Sequence, residues 1–249
     1  MAGDLDGKVA LITGAASGFG AAMARRLAAR GASVVCADVN EEGAAAVAAE
    51  VGGVSLRCDV SELADNEAAV ALAEERFGGL DLVALNAGVA TGFGLEDDFD
   101  AALYRRIMGI NLDGVVYGLH AAMPALRRRG GGDVIATASL AGLTPVPMDP
   151  IYAANKAAVV HLVRSVGPVF GDQNIRVNAL CPSFAETGII QPIKEGLQAM
   201  RVPILEVEHV MEAFDRILAS GLSGQAWFVQ YGRDSEPFGF RNVPGPRAG

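Results

Sequence analysis

Short apolar segments alternate with longer Ala-rich or amphipathic segments from the start of the chain. The apolar runs lack the regular polar alternation of a half-exposed strand, which predicts strands buried on both faces of a sheet. The predicted strands cover 9–13, 33–37, 54–58, 82–85, 134–138, 175–180 and 226–229, and the predicted helices cover 19–30, 41–51, 62–77, 111–128 and 151–166. This order predicts an α/β fold, a doubly wound parallel sheet with helices on both faces.

Two regions interrupt the alternation, residues 186–203 and a tail with several Gly and Pro residues at 231–249. No interior linker, repeat or low-complexity stretch divides the rest of the sequence. We therefore expect a single domain over residues 1–249, with its ligands bound beyond the carboxyl ends of the strands.

The charge pattern argues against two classes of partner. The formal net charge is −9, and the longest basic run, Arg127–Arg129, lies at the end of a predicted helix. Cations at that end are stabilised by the helix dipole. A nucleic-acid surface needs far more positive charge, so we expect no nucleic-acid partner. No stretch approaches the ~18 apolar residues of a membrane span, and we expect no membrane partner.

The three cysteines, Cys36, Cys58 and Cys181, are odd in number and lie in separate apolar runs. This arrangement predicts buried, reduced thiols and a reducing compartment. Because Met1–Lys8 carries two aspartates and leads straight into the first strand, we expect no signal peptide and a cytoplasmic protein. The histidines have no metal-ligand spacing, and we expect no metal site.

A glycine-containing segment, Thr13–Gly20, joins the first predicted strand to the first helix. Glycine lets the backbone turn tightly and approach a pyrophosphate, whose charge the amides of a helix N-terminus stabilise. Three glycines at a strand end are a weak signal alone, and a structural turn is the alternative. The candidate cofactor contacts in this segment are Gly14, Ser17, Gly18, Phe19 and Gly20.

Asp38 strengthens the cofactor hypothesis because it lies at the end of the second strand, 18 residues after Gly20. A carboxylate there binds the ribose hydroxyls of an adenosine and repels a 2′-phosphate. No Arg or Lys in the glycine segment or directly after Asp38 would neutralise such a phosphate, so NAD is favoured over NADP. The alternative for Asp38 is a solvated turn or helix cap.

Five further cofactor contacts are predicted at the ends of the third and fourth strands. Asp59 is placed to accept from the adenine amino group with Val60 against the ring, although a helix-capping role for Asp59 is equally compatible with the sequence. The segment Asn86-Ala87-Gly88 ends the fourth strand and brings small residues and open backbone near the cofactor.

Tyr152 and Lys156 place a phenol and an ammonium one helical turn apart on the same face. A fixed ammonium stabilises phenolate and lowers the phenol pKa from its usual ~10, so that the phenolate can take a proton from an alcohol as hydride leaves. Ser139, 13 residues earlier, would hold the substrate oxygen. By spacing alone, an exposed Tyr–Lys pair is the commoner explanation.

The order of these motifs resembles that of the short-chain dehydrogenases/reductases over roughly residues 6 to 230. The motifs in question are Thr13–Gly20, Asn86–Gly88, Asn111, Ser139, Tyr152, Lys156 and Ile175–Pro182. The resemblance implies a seven-stranded single-domain Rossmann fold and a four-residue active site. It also implies a homotetramer or homodimer and a mobile lid over the substrate at about residues 186–203.

The resemblance assigns a role to each member of this site. Tyr152 is implied as the catalytic acid/base, and Ser139 as the group that orients and polarises the substrate oxygen. Lys156 is implied to bind the nicotinamide ribose and to lower the tyrosine pKa. Asn111 is implied to hold a water that links Lys156 to solvent, with a helix N-cap as its alternative or second role.

Residues after the sixth strand are implied as nicotinamide contacts. Thr187 corresponds to the residue that commonly contacts the nicotinamide amide, and Pro182 and Ser183 would line the same ring. A loop threonine without a ligand is the alternative for Thr187. Ser183 stands where the family usually has Gly, which either restricts the backbone or adds a hydroxyl to the pocket.

Two more departures from the family concern the surface. Gly167-Pro168 falls within the long catalytic helix, where proline removes a backbone hydrogen bond and bends the helix. That helix packs on its twin in the family's dimers, so we expect a changed interface. In the tail, Phe238 and Phe240 either cover a neighbour or help to close a pocket, with a frayed tail as the alternative.

We therefore expect an NAD(H)-dependent oxidoreductase that interconverts a secondary alcohol and a ketone. The candidate pocket residues are Leu140, Leu143, Met148, Phe184, Ile189 and Ile190. They are apolar, and no Arg for a carboxylate is evident, which favours an uncharged, hydrophobic substrate. The alternatives are a non-catalytic NAD-binding module that senses redox state and an NADPH-linked 3-oxoacyl carrier protein reductase.

Overall fold

The strands form one sheet in which seven neighbours run parallel. The structure is a computed structural model that describes residues 3–90, 95, 97, 99–147 and 149–241. The strands are β1 (Val9–Thr13), β2 (Ser33–Asp38), β3 (Val54–Arg57), β4 (Leu82–Leu85), β5 (Gly132–Thr137), β6 (Ile175–Pro182), β7 (Ala226–Val229) and β8 (Glu236–Pro237). Their order in the sheet is β3-β2-β1-β4-β5-β6-β7-β8.

Helices cover both faces of this sheet, as expected of a doubly wound fold. They are α1 (Gly18–Ala29), α2 (Glu41–Val51), α3 (Leu63–Phe77), α4 (Ala101–Met108), α5 (Gly114–Arg128), α6 (Pro150–Gly171), α7 (Lys194–Ala199) and α8 (Val207–Ser220). Alternate side chains of β1 enter different cores. Val9 and Leu11 pack on the side of α3, α5 and α6, whereas Ala10 and Ile12 pack on the side of α1, α2 and α8.

The strand order reverses beside β1, which pairs with β2 on one side and with β4 on the other. At such a switch point the connections from neighbouring strands leave toward opposite faces and open a crevice at the carboxyl ends. The crevice lies at Thr13, where β1 passes into the glycine segment. The fold therefore places the predicted cofactor contacts at the edge where ligands of such sheets bind.

The predicted strands and most predicted helices are confirmed to within about two residues, the usual uncertainty of element ends. The strand count needs one correction: β8 adds an eighth strand, antiparallel to β7. The sequence analysis also missed α4, α7 and α8. The signal for α8 was available, because Val210, Phe214 and Ile217 follow a helical period and are all buried.

The predicted helix over 111–128 begins in the wrong place. α4 starts at Ala101, capped by Asp100, which accepts from two backbone amides. It continues through a π-helical turn at Gly109–Asp113 into α5. Asn111 therefore lies inside a helical segment rather than at its N-terminus, and its alternative role as an N-cap is wrong. In contrast, Asp149 is the N-cap of α6 and accepts from the backbone amide of Tyr152 at 3.0 Å.

Residues 186–203, predicted as the lid, leave the sheet and return to it at one point. Ala185 and Leu205 form a parallel bridge, and the Leu205 amide donates to the carbonyl of Phe184 at 2.8 Å. Between these residues lie a 3₁₀ turn at Gly188–Ile193 and the short helix α7. The segment is thus anchored at both ends and forms a helical excursion beside the carboxyl end of β6.

The tail is ordered on the body of the protein as far as Arg241, so the frayed-tail alternative is wrong for that part. After β8, the Phe238 amide donates to the carbonyl of Ala226 at 2.7 Å. The Phe238 and Phe240 rings meet edge to face at 4.9 Å, and the Arg164 guanidinium lies 3.5 Å from the Phe240 ring centroid. These aromatic side chains therefore cover α6 of their own chain. Residues 242–249 lie outside the described residues.

The Gly167-Pro168 pair does not end α6, which continues to Gly171. A Cβ on Gly167 would lie 2.3 Å from the Cα of Gly224, in the loop before β7. Only glycine allows this approach, so the pair serves packing between α6 and that loop.

The burial of the cysteines and the position of the basic run agree with the sequence analysis. All three cysteines are buried and free, and α5 ends at Arg128 within the basic run. The three histidines are exposed. In the ranges that the structure describes, no helix is long and apolar enough to cross a membrane, and no cluster of His, Cys, Asp or Glu could hold a metal ion.

Candidate active site

The glycine segment lies so close to its neighbours that side chains would not fit. Gly14 has a φ of +67°, and a Cβ there would lie 2.9 Å from the Cα of Ala87. A Cβ on Gly20 would lie 2.0 Å from the carbonyl oxygen of Gly14. Glycine is therefore required by geometry at these two positions. The result is a close-packed run of backbone at the start of α1, in which Ser17 is exposed.

Ser17 and Phe19 flank the start of α1 in different ways. Ser17 is the N-cap in extended conformation, and its side chain makes no capping hydrogen bond. Its hydroxyl and the first amides of the helix are therefore available to an anion at the positive end of the helix dipole. Phe19 packs against the core under α1 and α8, so that its contribution to a cofactor site would come through its backbone.

Asp38 ends β2 and points its carboxylate at the glycine segment. Its Oδ2 accepts from the Ala16 amide at 2.9 Å and its Oδ1 from the Asn40 amide at 2.8 Å. These bonds fix the carboxylate where a ribose would lie. The strand register places Arg57 opposite Asp38, a cation that the sequence analysis did not weigh, but its guanidinium is paired with Asp65 at 3.8 Å.

Asp59 holds the turn before α3. Its Oδ1 accepts from both the hydroxyl and the amide of Ser61, and these bonds, the hydroxyl above all, hold the pKa of the Asp59 carboxyl below its usual value. The structure thus supports the local-turn role, and contact with adenine stays a prediction. Val60 is buried and packs against Gly114 of α5. Only the small exposed part of its side chain could therefore contact the ring of an adenine.

Asn86 ties the carboxyl ends of three strands together. Its Nδ2 donates to the Thr13 carbonyl at 3.2 Å, and its Oδ1 accepts from the Thr137 hydroxyl at 3.1 Å. The Thr13 hydroxyl in turn accepts from the amides of Asn86 and Ala87. Sequence analysis placed Asn86 near the cofactor but missed Thr13 and Thr137, which form the polar network that holds this edge.

Asn111 lies at the centre of the π-helical turn and is fully buried. Its Oδ1 accepts from the Val89 amide at 2.8 Å and its Nδ2 donates to the Val89 carbonyl at 2.9 Å. Such turns often occur at functional sites. Both polar atoms of the side chain are bound to Val89, and the water that the resemblance implies stays a prediction for the backbone of Asn111.

Lys156 is buried beside Asn111 and Gly88. A Cβ on Gly88 would lie 3.2 Å from Asn111 Oδ1 and 3.5 Å from Lys156 Nζ, so these three residues meet at one point. The Lys156 ammonium donates to the Thr137 carbonyl at 3.0 Å. Burial disfavours its charge and lowers the pKa of Lys156 to about 8.

Tyr152 projects from α6 toward Ser139. Burial raises the pKa of the Tyr152 phenol, the hydrogen bond with Ser139 lowers it, and the Asp149 charge raises it again, with a net increase. The Lys156 Nζ lies 5.8 Å from the phenol ring centroid. The expected lowering of the tyrosine pKa by Lys156 is therefore not found in this state, because burial outweighs the favourable contacts.

Ser139 follows β5 and is held by the backbone around it. Its Oγ accepts from the Ala141 amide at 3.1 Å and lies 3.5 Å from the Pro182 carbonyl. The structure thus brings Ser139, Tyr152, Lys156 and Asn111 together from β5, α6 and the π-helical turn. Their arrangement is able to hold an oxygen at Ser139 while a proton moves at the Tyr152 phenol.

Pro182, Ser183 and Thr187 lead from β6 into the segment predicted as the lid. The Ser183 amide donates to the Val229 carbonyl at 2.9 Å, and Ser183 lacks the positive φ that would favour glycine. Thr187 faces the glycine segment, since a Cβ on Gly18 would lie 3.5 Å from its methyl group. The start of the segment therefore lies directly against the predicted pyrophosphate site.

The predicted pocket residues differ in exposure. Phe184 and Ile189 are 38% and 42% exposed, whereas Ile190 is 4% exposed and anchors its segment. Leu143 packs against the core beside α6. Ile190 and Leu143 are therefore less suited to contact a substrate. Met148 lies outside the described residues.

Comparison with known proteins adds the family. Residues 8–198 match the family model of the short chain dehydrogenases. The chain belongs to the short-chain dehydrogenase family. It is 40% identical over 194 residues to a 2,5-dichloro-2,5-cyclohexadiene-1,4-diol dehydrogenase of Sphingobium indicum, covering 76% of this chain and 77% of the relative. It is 34% identical over 234 residues to a cyclohexanol dehydrogenase of Acinetobacter, covering 92% and 93%.

Solved structures place this short-chain dehydrogenase in the same family. A 3-ketoacyl-(acyl-carrier-protein) reductase from Brucella melitensis, complexed with NADH, superposes with a TM-score of 0.84 at 32% identity, covering 92% of this chain and 99% of that one. The expected family and fold class are thus confirmed. The protein is an oxidoreductase that acts on CH–OH groups.

Proposed function

We propose that this short-chain dehydrogenase uses NAD(H) to interconvert a secondary alcohol and a ketone on a hydrophobic carbon ring. The observation that carries the proposal is the meeting of Ser139, Tyr152 and Lys156 at the crevice beside the glycine segment. A protein that only binds a nucleotide has no need of a phenol and a hydroxyl placed together there.

The residues at the crevice fit a dinucleotide. The close approaches at Gly14 and Gly20 leave room for a pyrophosphate against bare backbone, and Ser17 would add its hydroxyl. The Asp38 carboxylate fits two ribose hydroxyls and disfavours a 2′-phosphate. Arg57 is the nearest candidate to offset that repulsion, and its pairing with Asp65 supports NAD as the cofactor.

In the proposed reaction, Tyr152 exchanges a proton with the substrate oxygen while Ser139 holds that oxygen. The oxidised nicotinamide, when bound, supplies the hydride acceptor and a positive charge beside the phenol. Lys156 holds the nicotinamide ribose, and its charge opposes the effect of burial on the Tyr152 pKa. Thr187, Pro182 and Ser183 hold the nicotinamide end from the opposite side.

The other predicted contacts complete the cofactor site. Asp59 and Val60 lie toward the adenine, and the backbone of Asn86, Ala87 and Gly88 lies beneath the riboses. The backbone carbonyl of Asn111 holds the water through which Lys156 exchanges protons with solvent. In this way a proton that leaves the substrate at Tyr152 reaches the surface without crossing the apolar part of the site.

The substrate class follows from the relatives and the surface that faces the crevice. The two curated relatives are named for a cyclohexadiene diol and for cyclohexanol, both alcohols on six-membered carbon rings. The segment at 186–203 acts as a lid, and its partly exposed Ile189 and the adjacent Phe184 offer apolar surface. These features favour an uncharged ring alcohol.

Residues 1–249 act as one domain, because strands from residue 9 to residue 237 share one sheet. The three buried free thiols are compatible with a reducing, cytoplasmic location. As the family resemblance implies, the protein assembles as a homodimer or homotetramer.

One alternative function has a specific observation in its favour. The Brucella protein with the same fold is named for the reduction of a 3-ketoacyl group on a carrier protein. The same four side chains would serve that reaction. A carrier-bound substrate also carries a phosphopantetheine arm, so the two functions differ in the size and charge of the substrate.

Oxidation of cyclohexanol and of hexan-2-ol, each with NAD and with NADP, tests the proposal, together with reduction of a 3-oxoacyl thioester. We expect cyclohexanol with NAD to give a kcat/KM about tenfold above that of hexan-2-ol. The Tyr152→Phe variant should lose about a thousandfold in kcat and keep its NAD affinity. Equal turnover by wild type and Tyr152→Phe would contradict the catalytic assignment.

The remaining outcomes separate the alternatives. Tighter binding of NADPH than of NADH would overturn the role of Asp38. Reduction of the thioester in preference to all ring ketones would establish the carrier-protein alternative. Tight binding of NADH with no turnover of any substrate would indicate a non-catalytic module.

A further inference from the structure

α6 carries another buried polar side chain, Asn155, between Tyr152 and Lys156. Asn155 is 1% exposed. Its Nδ2 lies 3.0 Å from the thioether sulfur of Met108, a weak acceptor. Within the described part of the chain, its Oδ1 has no hydrogen-bond partner. A buried amide left in this way destabilises the folded protein, so the site needs a further polar group.

The Asn155 amide lacks one hydrogen-bond partner among the described residues in either of its two orientations. Rotation by 180° would exchange the oxygen and the nitrogen. The oxygen would then face the sulfur of Met108, and the NH₂ group would lack a partner instead. In either orientation, one polar atom of Asn155 has no strong hydrogen bond to any group in the part of the chain that the structure describes.

The amide lies where α6 meets the π-helical turn. Ile151, one helical turn before Asn155, packs with Ile107 of α4. Met108, the residue that Asn155 contacts, immediately precedes the turn at Gly109–Asp113. Where hydrogen bonding changes from i+4 to i+5 spacing, a backbone carbonyl loses its α-helical partner. Water, with two donors, suits a site with several acceptors.

We propose that Asn155 binds a buried water that bridges α6 to the π-helical turn, and that this bridge positions Asn111 and Lys156. The inference rests on the proposed function. The Asn111 side chain is already held by Val89 through both of its polar atoms, whereas Asn155 Oδ1 has no partner in the described part of the chain. Asn155 is adjacent in sequence to Lys156 and packs beside the turn that carries Asn111, so it can hold both partners.

Two variants of equal shape test the role of the polar group. Asn155→Thr keeps a hydroxyl, whereas Asn155→Val replaces it by a methyl group in a side chain of the same shape and backbone preference. We expect Asn155→Thr to retain most of the wild-type kcat. Asn155→Val should lose roughly tenfold in kcat, with an unchanged KM for NAD and a larger solvent isotope effect, because proton transfer becomes slower.

A merely structural role would give a different result. Both variants would then lower the melting temperature and leave the solvent isotope effect and the pH dependence of kcat equal to those of wild type. That result would overturn the proposal, as would equal kcat values for the Thr and Val variants.

A crystal structure of the wild-type protein provides a readout that does not need activity. We expect a water within hydrogen-bond distance of the Asn155 amide, and its absence would refute the proposal even if neither variant folds. If wild type has no dehydrogenase activity but the water is present, the proposed function fails and the water site stands. If the enzyme is active but the water is absent, the water site fails and the proposed function stands.

Discussion

The cofactor edge, made of residues 13–20 with Asp38 and Asn86–Gly88, is built differently from the C-terminal cover, made of residues 186–203 with 231–241. The cofactor edge consists of strand ends and close-packed backbone, and Gly14 and Gly20 leave no room for a Cβ. The C-terminal cover is attached through the Ala185–Leu205 bridge, the short strand β8 and packed side chains such as Ile190 and Phe240.

The difference separates what the whole family shares from what distinguishes one member. A pyrophosphate and two riboses have the same shape in every such enzyme, and fixed backbone recognises them well. A substrate varies between enzymes, and side chains on a segment outside the sheet are free to change without disturbing the sheet. Of the departures from the family pattern in this protein, the tail lies in the cover and Ser183 shortly before it, whereas Gly167-Pro168 lies in α6.

A methyl group at Gly20 provides the strongest test of the cofactor edge. A Cβ there would lie 2.0 Å from the Gly14 carbonyl oxygen, so the glycine segment would have to move. We expect Gly20→Ala to lower the affinity for NAD roughly a thousandfold, equivalent to about 4 kcal/mol. Isothermal titration with NAD measures this loss.

Gly171→Ala is the matched control, because a Cβ at Gly171 meets no atom within 4 Å. It should bind NAD as wild type does. If Gly20→Ala also binds normally, the cofactor edge is as adaptable as the cover and the contrast between them fails.

Lys156 allows a test of the burial at the centre of the crevice. The pKa of Lys156 is lowered from 10.5 to about 8. Below pH 8 the folded protein therefore carries a buried charge, which lowers its free energy of unfolding. Above pH 10.5 Lys156 is neutral in both the folded and the unfolded state. Lys156→Met should therefore be more stable than wild type by on the order of 3 kcal/mol near pH 7. The advantage should shrink as the pH rises from 8 to 10.5.

Chemical denaturation of the NAD-free proteins at a series of pH values measures this difference. A stability difference that is independent of pH would show that Lys156 titrates as an ordinary exposed lysine. The apparent burial at the catalytic pair would then be wrong.

The tail should matter for stability and not for chemistry. Phe240 packs on Phe238 and under the Arg164 guanidinium, and it is half-buried. We expect Phe240→Ala to lower the free energy of unfolding by about 1–2 kcal/mol and the melting temperature by a few degrees, with unchanged kcat. Tyr231→Ala, in the same tail but 62% exposed, should change neither quantity.

A fall in kcat for Phe240→Ala with unchanged stability would place the tail in the active site. The tail would then help to close the substrate pocket, which is the other role that the sequence allowed, rather than only pack against α6.

The tail also illustrates where prediction from sequence failed. Phe238 and Phe240 were recognisable as apolar residues in need of a partner, but their partner, α6, lies some 80 residues earlier in the chain. The sequence analysis missed the π-helical turn around Asn111 for the same reason, because the hydrogen bond between Asn111 and Val89 is a tertiary contact. By contrast, α8 was missed although its period was visible.

The sequence by itself determined seven strands, five of the helices and the candidate residues at the carboxyl ends of the strands, because periodicity, glycine spacing and strand ends are local properties. Only the tertiary structure decided the direction of the Tyr152 and Lys156 pKa shifts, the pairing of Arg57 and the unpaired amide of Asn155. Each of these depends on burial and on neighbours distant in sequence. The physical reason is that desolvation and hydrogen bonding are set by what surrounds a group in space.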